Sequence, residues 1–391
     1  LPQAMLEAGV DVWIVLCREN LNDPMADHIG GENAGGEAAF VFHLADGEME
    51  SVVFSPIGEA TALDELDIHD RVVPVARGES AMEMAAAFIR ERDFGRIAVN
   101  SAAGDAMADG LSHSQYVALE RALGPVFSER MESSRELIYA WLSVKLPEEV
   151  EIMRAAAAVT AAWQLEAYST IKPGVTTDAD VARFLKGKMA EFGVEDAWAP
   201  DQNPNVNSGA DRGHSHATDK VIVPGDVIQT DFGIKVFGRW VSDIQRFAYV
   251  AQDGGAVPDS VQAWWEHARA GGQAAFEAMR PGVRGIEVDA AQRERMEQAG
   301  SLPVMWSTGH PVGYVAHDVG PNLGGARSER PRPAAQRMLR EGMVFAFDGF
   351  HSWPRRDGTT KTISMEEMAV ITADGAEYLI PPQEAWVVIR P

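Results

Sequence analysis

The stretch Val227-Ile228-Gln229-Thr230-Asp231-Phe232-Gly233-Ile234-Lys235-Val236-Phe237-Gly238-Arg239-Trp240-Val241-Ser242-Asp243-Ile244-Gln245-Arg246-Phe247-Ala248-Tyr249-Val250 carries two aspartates, one on each side of a turn-forming Phe237-Gly238-Arg239. Its apolar flanks read as the two arms of a β-hairpin. Folded about residue 237, the hairpin sets Asp231 opposite Asp243, with Cβ atoms roughly 5 Å apart. Like charges directly opposite destabilise a strand pair, so the pair is either a solvent-facing accident or a site that holds a cation. Gly342 to Trp353 and Lys361 to Thr372 read as a second pair of strands around Arg356-Asp357-Gly358, a turn-forming segment. A fold about residue 357 sets Asp348 opposite Glu366. Four acids then sit on two hairpins.

A chain of 391 residues has room for a large core and suggests two or three domains. Hydrophobic residues make up 46% with scattered charge, which indicates a globular protein, and no apolar run approaches the roughly 20 residues of a membrane span. The 34 basic against 58 acidic residues give a formal charge of −24, which repels nucleic acid and anionic lipid and favours small or neutral substrates. The single cysteine, Cys17, excludes an internal disulfide framework, and its apolar flank Trp13 to Leu16 marks it as a buried structural thiol. No charged-then-apolar leader is visible, and cytoplasmic residence is the expectation.

Residues 1–145 alternate short apolar runs (Val12 to Cys17, Ala38 to Leu44, Ser51 to Phe54, Arg96 to Asn100) with helix-like segments (Ala81 to Arg92, Ser114 to Leu123). That rhythm predicts an α/β amino-terminal domain. Its histidines, His28, His43, His69 and His113, are scattered and form no constellation. Near 145 the texture changes: Pro147-Glu148-Glu149 has the proline and early acids of a helix start and leads into an alanine-rich helix. Residues 146–391 form the expected second domain.

That second part contains an internal echo. Ile171-Lys172-Pro173-Gly174-Val175 recurs as Met279-Arg280-Pro281-Gly282-Val283, each copy between helix-like segments, the following ones closed by Gly193 and Gly300. Each half then delivers one acid-bearing hairpin. The simplest account is a duplicated α+β unit whose four acids converge about a pseudo-twofold axis.

A cluster of four carboxylates is very costly in an interior unless cations neutralise it. Two divalent ions would do so, and such a pair polarises a substrate carbonyl and acidifies water, which is hydrolytic chemistry. Oxygen-rich ligation with one imidazole suits Mn²⁺, Co²⁺ or Zn²⁺. The imidazole candidate is His310 in Thr308-Gly309-His310-Pro311-Val312-Gly313, while His317 and His214 are candidates to donate a proton or hydrogen bond to substrate.

Asp231-Phe232-Gly233 after Pro224-Gly225-Asp226, then Ser242-Asp243-Ile244-Gln245-Arg246, Gly309-His310, Gly342-Met343-Val344 before Asp348, and Glu366 before an apolar strand, in this order and spacing, resemble the pita-bread metallopeptidases. The resemblance is to the branch of Xaa-Pro dipeptidase (prolidase), aminopeptidase P and creatinase, which carries a creatinase-type α/β amino-terminal domain; methionine aminopeptidase lacks one. It implies an α+β pita-bread catalytic domain, a homodimer, and two divalent ions, Mn²⁺ first. In it Asp243 and Glu366 bridge the ions, Asp231 serves one, and His310 and Asp348 serve the other. His214 would contact the scissile carbonyl or leaving nitrogen, His317 would hold the carbonyl, and Asp348 stands where the family's proton-carrying glutamate does. Arg327 or Arg332 would bind a dipeptide's carboxylate.

Several positions depart from the family's pattern. Asp348 replaces glutamate, Gly349 a usual proline, Ser364 a common arginine and Pro311 a usual glycine, and His351 falls near a usual tyrosine. The expected function is cleavage of the Xaa-Pro bond of short peptides. The alternatives are a non-peptidase relative acting on a small amide, amidine or sulfonium substrate, a lyase of the same fold, and an inactive peptide-binding scaffold.

Overall fold

The structure, a computed structural model, describes residues 1–31, 36–45, 47–213, 216–252 and 255–390. Its internal contacts divide the chain into Leu1–Leu142 and Ser143–Pro391.

The first unit is an α/β layer structure. Strands β1 (Val12–Cys17), β2 (Ala38–Ala45), β3 (Glu48–Pro56), β4 (Arg71–Val75), β5 (Ile97–Val99) and β6 (Met131–Ser133) form one sheet in the order β4-β3-β2-β1-β5-β6. Helices α1 (Pro2–Ala8), α2 (Ala26–Ile29), α3 (Ile57–Glu65), α4 (Ala81–Arg92), α5 (His113–Ser128) and α6 (Arg135–Leu142) alternate with them. Every residue of β1 is buried, as its unbroken apolar run requires of a central strand. Cys17, at the end of β1, is buried.

The second unit opens with α7 (Pro147–Ser169), which has Pro147 in its first turn and the Glu149 carboxylate accepting from the Leu146 N–H at 2.8 Å. Helix α8 (Asp178–Phe192) is capped by reciprocal Thr177–Asp180 bonds and ends on Gly193 in the left-handed region. Strands β7 (Glu195–Asp196), β8 (Asn205–Ser208), β9 (Val227–Phe232), β10 (Ile234–Val236), β11 (Trp240–Val241) and β12 (Ile244–Val250) follow. Helices α9 (Asp259–Ala278) and α10 (Gly285–Gln298) then precede β13 (Gly309–Pro311), β14 (Val344–Pro354), β15 (Thr360–Thr372), β16 (Gly375–Tyr378) and β17 (Val387–Ile389). The sheets run β17-β12-β9-β8 and β13-β14-β15-β16, with a small β11-β10-β7 sheet beside them.

The sequence echo is a structural one. Gly174 (φ 79°) donates to the Ile222 carbonyl at 2.8 Å, and Gly282 (φ 84°) donates to the Leu339 carbonyl at 2.9 Å. Both glycines turn the chain out of a helix in a conformation that a Cβ disfavours. Each N–H ties its helix pair to the segment that enters an acid-bearing hairpin.

The two hairpins differ in how well their register was foreseen. Asp348 pairs with Glu366 as expected. The first hairpin folds about residue 238, not 237: Val236 pairs with Trp240, Phe237 (φ 53°) and Gly238 (φ 64°) form the turn, and Asp231 lies opposite Gln245 instead of Asp243. Two successive residues at positive φ match the twist of a tight hairpin, which pulls the centre of the turn one residue on. Partners then shift by two positions, which preserves parity. Asp231 and Asp243 remain on one face as diagonal neighbours, and the ladder breaks between β11 and β12, where Asp243 sits.

Helix α9 covers the other face of β14. A Cβ on Gly349 would stand 2.2 Å from the Ala268 carbonyl oxygen, so this glycine lets the helix backbone rest directly on the strand. His351, on the same face, lies 4.9 Å ring to ring from His267. Burial first, and then the His267 charge, lower the His351 pKa from 6.5 to about 4. The unfolded chain binds a proton at this side chain below about 6.5, while the folded chain resists it down to about 4. The His351 contribution to stability is therefore complete above that upper value and is lost as pH falls through the window. In thermal melts between pH 7 and 4, His351→Phe is expected to flatten the acid-side decline in Tm. An unchanged slope would assign the decline to other groups.

Candidate metal centre

Strand alternation brings the four acids to the face opposite α9. Asp231, Asp243, Asp348 and Glu366 are 6%, 5%, 8% and 4% exposed, so a solvent-facing acidic pair is excluded. Burial first, and then the charges of Asp231 and Asp348, push the Asp243 carboxyl well above the ordinary carboxylate range. Glu366 is raised in the same way, by burial and then by Asp243, Asp348 and Asp231. Asp348 is raised by burial and Asp231, with the Arg293 guanidinium pulling the other way. Burial and mutual repulsion thus oppose ionisation of these three carboxyls, a penalty that a bound cation would offset.

His310 completes the group. Ligand atoms of Asp243, His310 and Glu366 all lie within 4.8 Å of one another, the one such His/Cys/Asp/Glu grouping among the described residues. His310 Nε2 is 3.7 Å from both Asp243 Oδ2 and Glu366 Oε1. Its Nδ1 is 3.2 Å from the Pro311 carbonyl oxygen. In the tautomer that donates from Nδ1, the Nε2 lone pair faces the acids, the usual second-sphere arrangement of a metal-binding imidazole. Glu366 Oε2 is buried and has no hydrogen-bond partner among the described residues. The donor set therefore fits a divalent cation.

The backbone fixes these positions. β13 pairs with β14, Gly309 opposite Phe347, and a Cβ on Gly309 would meet the Ala346 carbonyl oxygen at 2.4 Å. The Asp348 N–H donates to the Thr308 carbonyl at 2.7 Å, and the Thr308 hydroxyl donates to buried Asp289 at 2.6 Å. Asp231 lies between Asn205 and Gln245 on adjacent strands and accepts from Gln245 Nε2 at 3.4 Å. Ser364, where arginine is usual, instead accepts from Gln229 at 3.0 Å and donates to Gln245 at 2.8 Å.

Two cavities flank the acids. One of about 260 Å³ is lined by Asp348, Glu366, His310, His317, Arg332 and Phe350, among others. The other, about 360 Å³, is lined by Asp231, Asp243, Glu366, His317, Trp198 and Trp306, among others. His317 belongs to both, its ring 4.1 Å from that of His310. Arg327 is not brought to the site: it is paired with Glu297 at 2.6 Å on the surface. His214 lies outside the described residues. Trp198 and Trp306 line these cavities, whereas Trp163, Trp265 and Trp353 are core.

Sequence reasoning missed the support beneath His317. Lys145 Nζ and Asp318 Oδ2 are 3.1 Å apart, with both side chains essentially unexposed. Asp318 Oδ2 also accepts from the Tyr314 N–H at 3.0 Å, and the Asp318 N–H donates to the Pro311 carbonyl at 3.0 Å, closing the loop that joins His310 to His317. The one available signal was a lysine within the apolar run Leu142 to Leu146.

Asp348 offers a direct test of the ligand set. Asp348→Glu advances the carboxylate by about 1.5 Å, one C–C bond, and is expected to tighten uptake of a second ion at least tenfold in a titration of chelator-treated protein. Indifference to the longer side chain would place residue 348 outside metal contact.

An α+β fold presenting this carboxylate–imidazole cluster has the donor chemistry of a divalent-metal site. The model of metallopeptidase family M24 matches residues 151–373, more than half of the chain. The chain belongs to metallopeptidase family M24. It is 29% identical over 238 residues to the probable dipeptidase PepE of Mycobacterium tuberculosis, which covers 60% of this chain and 57% of that protein. It is also 29% identical over 233 residues to the uncharacterized peptidase YqhT of Bacillus subtilis, covering 59% and 60%. The matches thus span less than two thirds of these relatives. The fold is shared more widely. An Xaa-Pro dipeptidase from Bacillus anthracis superposes with a TM-score of 0.75 at 19% identity, over 99% of this chain and 97% of that one. An X-Pro aminopeptidase from Thermotoga maritima gives 0.75 at 20% identity over 100% of both. The architecture is therefore the pita-bread fold, in a chain of two compact units. Among the described residues no helix is long and apolar enough to cross a membrane.

Proposed function

We propose that the chain is a dinuclear-metal hydrolase that cleaves the Xaa-Pro bond of dipeptides or short peptides. The observation that carries this reading is the buried Asp243–His310–Glu366 grouping, opening onto cavities that His317 and Arg332 help to line. Asp243 and Glu366 would bridge two ions, Mn²⁺ first, with Asp231 on one and His310 and Asp348 on the other. Bound divalent ions supply a polarised carbonyl and an acidified water. The chain's own groups do the rest. His317 holds the substrate carbonyl, and Asp348 takes the proton from the attacking water and returns it to the leaving nitrogen. Proline's tertiary amide has no N–H for a protein acceptor to grip, so a site that works through the carbonyl does not penalise it. The cavities sit at or below the small end of the about 300–1,000 Å³ that drug-sized ligands need, which favours a short substrate.

Arg332, within the cavity lining, would bind the carboxylate of a dipeptide. Charge-assisted bonds contribute about 1.5–3 kcal/mol, so Arg332→Ala is expected to raise KM for Ala-Pro about tenfold or more and to leave Ala-Pro-amide unaffected. Arg327→Ala should leave both unchanged, and equal effects from the two arginines would remove Arg332 from the site. The reading itself is tested by treating the protein with chelator, restoring Mn²⁺ and assaying Ala-Pro, Ala-Pro-Xaa and unrelated amides. Metal-dependent release of proline or a prolyl peptide is expected. Metal-independent turnover of a small amide or sulfonium substrate would overturn it.

A further inference from the structure

A separate cavity opens on the reverse face of the acid-bearing sheet. It lies between α9 and strands β14 to β16, encloses about 240 Å³, and is lined by residues that include Ala268, Arg269, Phe347, Met365, Glu367 and Tyr378. Phe347 and Glu367 alternate with Asp348 and Glu366 along their strands and so face away from the acid cluster. No residue lining this cavity lines either cavity of the candidate metal centre.

Its polar groups have capacity unspent. Glu367 is 4% exposed. One of its oxygens accepts from Arg246 at 3.0 Å and from the Gln383 N–H at 2.8 Å, while the other is buried and has no hydrogen-bond partner among the described residues. Leaving such an oxygen unsatisfied costs about 1–3 kcal/mol. The Arg269 guanidinium, exposed on α9, has no ion pair or hydrogen bond among the described residues, and neither does the Tyr378 hydroxyl. The Tyr378 ring is held flat against Phe276 at 4.0 Å between centroids.

We propose that this cavity binds a free α-amino acid, its ammonium donating to Glu367 Oε2, its carboxylate on Arg269, and its side chain against Phe347 and Tyr378. A simple cation is opposed by Arg269 and a simple anion by Glu367, so the pair selects a zwitterion by repulsion as much as by attraction. The volume equals about eight waters at roughly 30 Å³ each, which admits one residue and not a peptide.

The test is calorimetric titration of the full chain with L-leucine, L-alanine, L-proline and L-phenylalanine, before and after chelation of metals. At least one is expected to bind a single saturable site that survives chelation, which separates it from product bound at a metal centre. The N-acetyl and amide derivatives of that amino acid, each lacking one charge, should bind at least tenfold more weakly. Arg269→Ala, an exposed substitution that leaves the core intact, should weaken the amino acid at least tenfold and leave its amide unchanged. The inference is overturned if none of the four binds after chelation, or if Arg269→Ala binds as tightly as the parent. Since binding and not turnover is read, the outcome is independent of the proposed hydrolysis.

Discussion

Asp243→Ala and Glu366→Ala are each expected to lose both bound ions and to reduce peptide turnover by three orders of magnitude or more. On the proposed ligand set each would remove a bridging carboxylate, so neither ion would keep all of its ligands. The chemistry lost with the ions is large: metal binding lowers the pKa of water to about 7, a shift no remaining side chain reproduces. The folding consequence has the opposite sign. Burial and the neighbouring acids oppose ionisation of these carboxyls, so either alanine variant without metal should be at least as stable as the metal-free parent. A loss of activity accompanied by global unfolding would point to a structural role, whereas a folded, metal-free and inactive variant would identify ligands.

Lys145→Met is expected to destabilise the unit of residues 143–391 by about 3–5 kcal/mol, the usual cost of leaving one partner of a buried ion pair uncompensated. At about 2–4 °C per kcal/mol for a unit of this size, melting should fall by roughly 10 °C. Asp318 is the partner left behind. Its carboxylate also anchors Tyr314 and its N–H closes the His310–His317 loop, so turnover should fall even at temperatures where the variant is fully folded. Combining Lys145→Met with Asp318→Asn removes the orphaned charge and is expected to recover part of the stability but not the turnover. If the double variant loses as much as the two single changes added together, the pair is not coupled and His317 does not depend on it.

The acid cluster was legible because parity is robust. In the first hairpin the turn centre was misplaced by one residue, at 237 instead of 238, yet Asp231 and Asp243 stayed on one face because partners moved by two. The second hairpin and the glycine turns of the echo, Gly174 and Gly282, were readable from local chemistry alone. What local pattern does not encode is which distant side chains meet. Asn205 and Gln245 around Asp231, Asp289 beneath Thr308, and Lys145 beneath Asp318 are joined by tertiary contacts across tens to more than a hundred residues. The choice between Arg327 and Arg332 was invisible for the same reason: both lie in one arginine-rich loop, and only the fold shows that Glu297 engages the first while the second reaches the cavity.

Metal analysis of protein purified without chelator tests the central claim most directly. Close to two Mn²⁺ or equivalent divalent ions per chain, falling to none in Asp243→Ala, is the result that the proposed dinuclear ligand set predicts. Protein that is fully active on peptides yet carries no divalent ion would contradict it.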